Sequence, residues 1–273
     1  MENFIEFVGH YNIPINICVV GSGGTGGAFI PLLSRFINTE PTLARLCNIL
    51  IIDGDTIEEK NLSRQPFFSD ELMQNKAVVL AQAIKENFEN VNIKAFPHYL
   101  NEREDLSEAM LCLDIRNVYI KGVYSPSITI LVGCCDNHRC RQVMEDYYKV
   151  VRDIIYVDSA NEFSNGEVVI GIKKKGKILS PSRAFYFPEV LEDTSPRRSE
   201  ESCGVVNASA PQHFATNSMA ANIIFSSISN YLMTGGLSGG VIYFDAFKPF
   251  ISFRELPQGE IDKLNKKKEE GEV

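Results

Sequence analysis

The first 160 residues alternate short β-branched runs with stretches whose apolar positions recur at helical spacing. Ile15–Val20 has the pattern of a buried strand and ends in Gly21-Ser22-Gly23-Gly24-Thr25-Gly26-Gly27, after which Phe29–Ile37 has helical spacing. Asn48–Ile52 is a second apolar run, closed by Asp53-Gly54-Asp55. Lys76–Asn87 repeats apolar residues at helical intervals (Val79, Ala83, Ile84), and Val91–Phe96 alternates as a strand does. Ile128–Val132 and Ile154–Val157 predict two further strands, with a helix over His138–Val150 between them. Strands alternating with helices predict an α/β fold whose mostly parallel sheet is covered on both faces.

The second half is patterned differently. Glu167–Lys173 reads as an exposed, antiparallel strand with a polar end. Ile178–Ser202 is rich in proline, serine and charge, and is expected to be a loop crossing the surface. His213–Leu232 predicts a helix with Ala220, Ala221, Ile224 and Ile228 on one face, and Val241–Phe247 with Phe250–Phe253 predicts a closing hairpin. The segment from Gln258 to Val273 is charged and poor in apolar residues, so it is expected to be a loose tail.

Composition narrows the function classes. The 273 residues are 44% hydrophobic and 23% charged, enough apolar surface for a large core. A net charge of −8 and a pI near 5.2 argue against a general grip on nucleic acid or anionic membrane. No apolar run reaches the roughly 18–20 residues that a membrane span needs. Met1–His10 does not read as a signal peptide. Seven cysteines, scattered through apolar segments and without a C-x-x-C pair, point to reduced thiols in a cytoplasm and away from a four-thiolate zinc site.

A glycine loop between a strand and a helix presents backbone N–H groups and a helix N-terminus to a phosphate chain. Gly21-x-Gly23-x-x-Gly26 serves dinucleotide oxidoreductases as well as ATP enzymes, and Asp53 would reach ribose hydroxyls in either. The residues beyond Asp53 separate the two. The chain continues Asp53-Gly54-Asp55, then Asn61-Leu62-Ser63-Arg64-Gln65, then Asn75-Lys76-Ala77 opening a helix, and later Asp136-Asn137 with Arg141 four residues on. Singly, Arg64 and Lys76 read as surface charges, Asp136 as a helix cap, and Gln65 as packing or ligand contact. As an ordered set these elements resemble the ThiF, MoeB and ubiquitin-activating family, with its doubled glycine in the loop, D-x-D, N-L-x-R-Q, Lys-Ala and D-N-x-x-x-R. The resemblance runs from about Asn16 to Phe253. Within the family, the Asp158–Gly171 stretch and the Ser202-Cys203 context are most similar to ThiF-like proteins of bacterial plasmid (PRTRC-type) and conjugation-pathway operons.

The resemblance implies a Rossmann-like sheet extended by antiparallel strands, and an enzyme that uses ATP and Mg²⁺ to adenylate the C-terminal glycine of a small β-grasp carrier protein. It implies one adenylation domain over residues 1–257: a nucleotide-binding half (16–158), then a crossover loop, late helix and carrier-facing strands (159–257). The loop glycines Gly21, Gly23, Gly24 and Gly26 would bind nucleotide with Asp53, Asp55, Asn61, Gln65 and Asn137. Arg64 and Lys76 would neutralise phosphates, and Asp136 would hold the metal. Cys203, in a polar loop beside Arg197 and Arg198, would take the acyl group or stand as an unreactive exposed thiol. A conjugating enzyme or a sulfur donor would act next. Two copies are expected to pair. Two departures stand out: the family's D-x-x-D-N has Gly133 at its first aspartate, and the residues before the glycine loop hold no arginine to donate to a partner's site. The chain ends without Gly-Gly, so it does not read as a carrier itself. The rival readings are a non-catalytic partner subunit and a nicotinamide-dependent oxidoreductase.

Overall fold

The computed structural model describes residues 13–113, 127–197, 199 and 212–270, with the backbone of 5–6, 119–120 and 123–124. Its centre is a nine-stranded sheet. The strands are β1 (Ile15–Val20), β2 (Cys47–Ile52), β3 (Asn92–Phe96), β4 (Ile128–Gly133), β5 (Ile154–Asn161), β6 (Asn165–Lys174), β7 (Lys177–Ser180), β8 (Gly240–Asp245) and β9 (Phe250–Arg254). Their order is β9-β8-β6-β5-β4-β1-β2-β3, with β7 on β6. The pairs β3–β2, β2–β1, β1–β4 and β4–β5 are parallel; from β5 onward every pair is antiparallel.

Alternation along the strands explains both layers. Ile17, Val19, Ile49, Ile51, Ile130 and Val132 join a core with helices α1 (Gly24–Thr39), α3 (Lys76–Asn87) and α8 (Phe214–Thr234). Their neighbours Cys18, Val20, Leu50, Ile52 and Leu131 point the other way, toward α4 (Arg103–Leu111) and α5 (His138–Val150). Period-two side chains on a doubly covered sheet leave no polar face, which is why these strands read as unbroken apolar runs. A short helix α2 (Pro41–Leu46) and α4 were not visible as periodicity.

Three expectations change. Strand β6 is not exposed: Val168–Lys173 is buried between β5 and β8, beneath α8. The expected surface loop after Ile178 carries β7 and two one-turn helices, α6 (Arg183–Tyr186) and α7 (Glu189–Glu192), and Arg183 is buried. Its polar residues are partners for buried charges, a role that composition cannot reveal. The tail expected to be loose is helix α9 (Gln258–Glu269). Ile261 is buried, the Asn265 side chain exchanges hydrogen bonds with the backbone of Ile178, and Lys268 donates to the Gly176 carbonyl. That pairing covers the outer edge of β7, an edge strand that would otherwise leave backbone groups unpaired.

Candidate active site

The strand order reverses between β1 and β4, and the parallel strands end on one side of the sheet. Sheets of this kind bind ligands in the crevice outside such strand ends. An open cleft lies there. Gly21, Gly23, Gly24, Asp53, Asp55, Arg64, Gln65, Lys76, Asp136 and Asn137 all line it.

Close backbone packing sets the glycine loop. Gly21 has φ +96°, and a side chain there would meet the Cys134 carbonyl at 2.7 Å. Gly26 does not line the cleft; a Cβ on it would lie 2.0 Å from the Gly21 carbonyl oxygen. The loop therefore turns tightly into α1, whose N-terminus faces the cleft with Gly23 at its cap and no side-chain cap bond. The first N–H groups of such a helix are a ready anion site.

Asp53 braces this loop. One of its oxygens accepts from the Ser22 N–H (2.7 Å) and hydroxyl (2.8 Å), the other from the Asp55 N–H (2.9 Å). Burial and the neighbouring Asp55 charge raise its carboxyl above the usual range, against the opposing pull of Lys76 and the N–H donors. Asp55 accepts from Tyr99 Oη (2.8 Å) and pairs with Lys76 Nζ at 2.9 Å. Lys76 is buried on the first turn of α3, where the Asn75 side chain caps the helix and also donates to the Asp53 and Asp55 carbonyls. The D-x-D and Asn-Lys-Ala segments thus meet as one unit.

The remaining sequence candidates divide. Gln65 packs against Gly23 and lines the cleft. Asn61 does not line the cleft. It is buried, its side chain accepts from the Glu58 N–H, and its carbonyl accepts from the Arg64 and Gln65 N–H groups. Its contribution is to shape the turn that presents Arg64. Asn137 caps α5, accepting from the Cys140 N–H at 2.7 Å, and Asp136 is thereby left exposed at the cleft rather than serving as the cap. Cys203, with Ser202 and Arg198, lies outside the described residues.

Several cleft residues escaped the sequence reading. Tyr99, Ser159, Asn161, Gln212 and Arg139 are among them, and Arg197, named in the sequence only for its place near Cys203, lines the cleft too. Asn161 donates to Thr25 Oγ1 (2.8 Å) and Asn217 Oδ1 (3.2 Å), tying β5 to α1 and α8. Behind them lies a dry charge cluster. Arg141 reaches Asp158 (3.1 Å) and donates to the carbonyls of Cys135 (2.7 Å) and Ser159 (2.8 Å). Arg183 pairs with the same Asp158 oxygen and with Glu167. Beside it Glu145 accepts from Ser182 and the Ala184 N–H, and burial pushes its carboxyl up to about 7. In the sequence the cluster shows as Arg141, the arginine of the D-N-x-x-x-R pattern, and as a charge at the end of an apolar run, Asp158; nothing there pairs the two.

Among the described residues no group of three or more His, Cys, Asp or Glu side chains is placed to hold a metal, and no helix is long and apolar enough to cross a membrane.

The family model for ThiF matches residues 14–264. No curated protein matches the chain with significance. Escherichia coli MccB solved with ATP is similar at a TM-score of 0.59 and 14% identity, covering 90% of this chain and 64% of MccB. Selenomethionine PaaA is similar at a TM-score of 0.56 and 18% identity, over 88% and 64% of the two chains. MccB has also been solved with AMPCPP and MccA together, at a TM-score of 0.57, 14% identity, and coverage of 88% and 63%. The chain spans about 64% of the length of MccB and PaaA, and at these identities the likeness establishes the fold. With the ThiF match running across nearly all of its length, the chain belongs to the ThiF family.

Proposed function

We propose that this protein adenylates a carboxylate with ATP, at the C-terminus of a protein or peptide partner. The observation that carries the reading is the convergence of the α1 N-terminus, Arg64, Lys76 and Asp136 on one cleft. In the proposed reaction a carboxylate oxygen attacks the α-phosphorus, the bond to the β-phosphate oxygen breaks, and pyrophosphate leaves. The attacking group is already ionised, so no general base is required. The barrier comes from bringing anion to anion, and positioned cations lower it. Lys76 is held by Asp55 beside the glycine loop, ready to share its charge with a phosphate, and Arg64 approaches from the adjoining turn.

Mg²⁺ fits this donor set. It takes one or two protein carboxylates and fills its octahedron with phosphate oxygens and water. A single exposed carboxylate at Asp136 meets that need, and the ion would supply further charge neutralisation on the phosphates. A nucleotide together with a second component in MccB supports a two-substrate reading here. The partner class we favour is a small carrier ending in glycine, engaged by two paired copies of this chain.

The test is Mg²⁺-dependent exchange of labelled pyrophosphate into ATP, with and without glycine-ending carriers and short peptides. Exchange that requires an acceptor supports adenylation, and the acceptor that works identifies its class. Nucleotide binding without exchange on any acceptor would leave the reading of a non-catalytic partner subunit in its place.

A further inference from the structure

The buried charge cluster behind the cleft contains one carboxylate whose geometry exceeds what packing requires. Asp158 is fully buried on β5, directly across from Gly133 at the end of β4. A Cβ placed on Gly133 would lie 2.0 Å from Asp158 Oδ1 and 2.9 Å from its carboxyl carbon. The Asp158 carboxylate therefore occupies the space where a side chain at position 133 would project. That oxygen has no hydrogen-bond partner among the described residues. The other, Oδ2, takes both Arg141 and Arg183.

We propose that Asp158 is a positioning residue for the cleft: it supplies from β5 the carboxylate that the D-x-x-D-N pattern carries on β4, and it acts through Arg141 on the loop bearing Asp136. The inference rests on the adenylation reading for its link to catalysis. Arg141 is the mechanical link, because its Nη2 donates to the carbonyl of Cys135, immediately before Asp136, and to that of Ser159, which also lines the cleft. With Asp158 charged, Arg141 is clamped and both carbonyls are fixed relative to each other. Without that charge the guanidinium loses its anchor and the Cys135–Asp136 backbone loses its stop. Asp158 never touches nucleotide, since it is sealed beneath the strand ends, so its effect is on the placement of Asp136.

Gly133 and Asp158 compete for one volume, so a side chain is tolerated at one position or the other. Three variants test this: Asp158→Asn, which keeps the shape and removes the charge; Gly133→Asp, which overfills the site; and the exchange Gly133→Asp/Asp158→Gly, which returns one carboxylate from the original strand. Circular dichroism melts establish which variants are folded at the assay temperature. Backbone amide exchange without nucleotide then reads the loop, and titration of a fluorescent ATP analogue with and without Mg²⁺ reads the site.

In folded Asp158→Asn, amide exchange should accelerate at least tenfold over residues 134–140 while β1 and β2 stay protected. Mg²⁺-dependent tightening of nucleotide binding should shrink at least fivefold, with Mg²⁺-free affinity within about twofold. The exchange variant should recover most of both, and Gly133→Asp alone should be the worst folded of the three. A purely structural Asp158 predicts uniform acceleration across the sheet, unchanged Mg²⁺ dependence and no recovery on exchanging positions. Any of those three results overturns the proposal. A wild type that binds no ATP analogue would overturn the adenylation reading and the catalytic link, while the amide-exchange comparison would still decide whether Asp158 holds the loop.

Discussion

Two ion-pair sites flank the cleft, and they differ in exposure more than in composition. Lys76 and Asp55 pair at the cleft wall, with side chains 7% and 34% exposed. Arg141, Asp158 and Arg183 form a cluster in which no side chain exceeds 4%. At the wall, water and an incoming phosphate can both compete for Lys76, so the pair can be remade during a reaction. In the cluster no side chain is open to solvent. A charge there must keep its partner, because removing one partner strands the other in a medium that cannot solvate it. The wall pair suits chemistry and the dry cluster suits the fixing of backbone.

The sharpest break of that contrast is Asp158→Ala. Two guanidinium groups would lose their shared acceptor, and urea denaturation should show a loss of about 3–5 kcal/mol. Asp55→Asn keeps the shape of the half-exposed partner but removes the counter-charge of the buried Lys76, and should cost less, about 1–3 kcal/mol. Equal losses would mean that burial does not separate the two sites.

Activity should run the other way. Lys76→Ala is expected to slow acceptor-dependent pyrophosphate exchange about a hundredfold, close to 2.7 kcal/mol of transition-state stabilisation. Asp136→Ala should abolish exchange while shifting stability by under about 0.5 kcal/mol, since its side chain is exposed. Wild-type exchange in the Asp136 variant would remove it from the site.

Glu145 offers a finer probe of the dry region. Its folded carboxyl is raised to about 7 from the ordinary 4.5, chiefly by burial. The folded state thus holds a proton that the unfolded chain has released between those two values. Stability from this group should fall as pH rises from about 4.5 to 7 and then level off. Glu145→Gln should flatten that part of the melting-temperature profile; an unchanged slope would show that Glu145 is ionised throughout.

The smallest effect is expected at Cys203. Adenylation needs no thiol, so Cys203→Ala should keep pyrophosphate exchange within about threefold, under roughly 1 kcal/mol. The same variant should lose any reducible enzyme–partner adduct on a non-reducing gel. An adduct that survives would assign the acyl group to another cysteine.

The sequence by itself determined the parallel half of the sheet and the order of its motifs. Ile15–Val20 and Asn48–Ile52 are legible because a strand covered on both faces has no polar alternation to confuse it. The glycine loop, Lys76 and Asp136 are legible because each sits at the end of such a strand or the start of a helix, where local pattern fixes position; Arg64, in a turn, is legible only through the motif around it. Asn61 kept its place in the motif, but its direction was decided by the turn it caps. Tertiary structure alone decided the rest. Polar Ser182 and Arg183 read as surface until Asp158 and Glu145 are brought to them from β5 and α5, and α9 reads as loose until β7 supplies an edge for Asn265. In each case the partner lies tens of residues away in the chain. Composition records that a side chain is charged; only the fold supplies the opposite charge or the unpaired backbone that gives it a buried place.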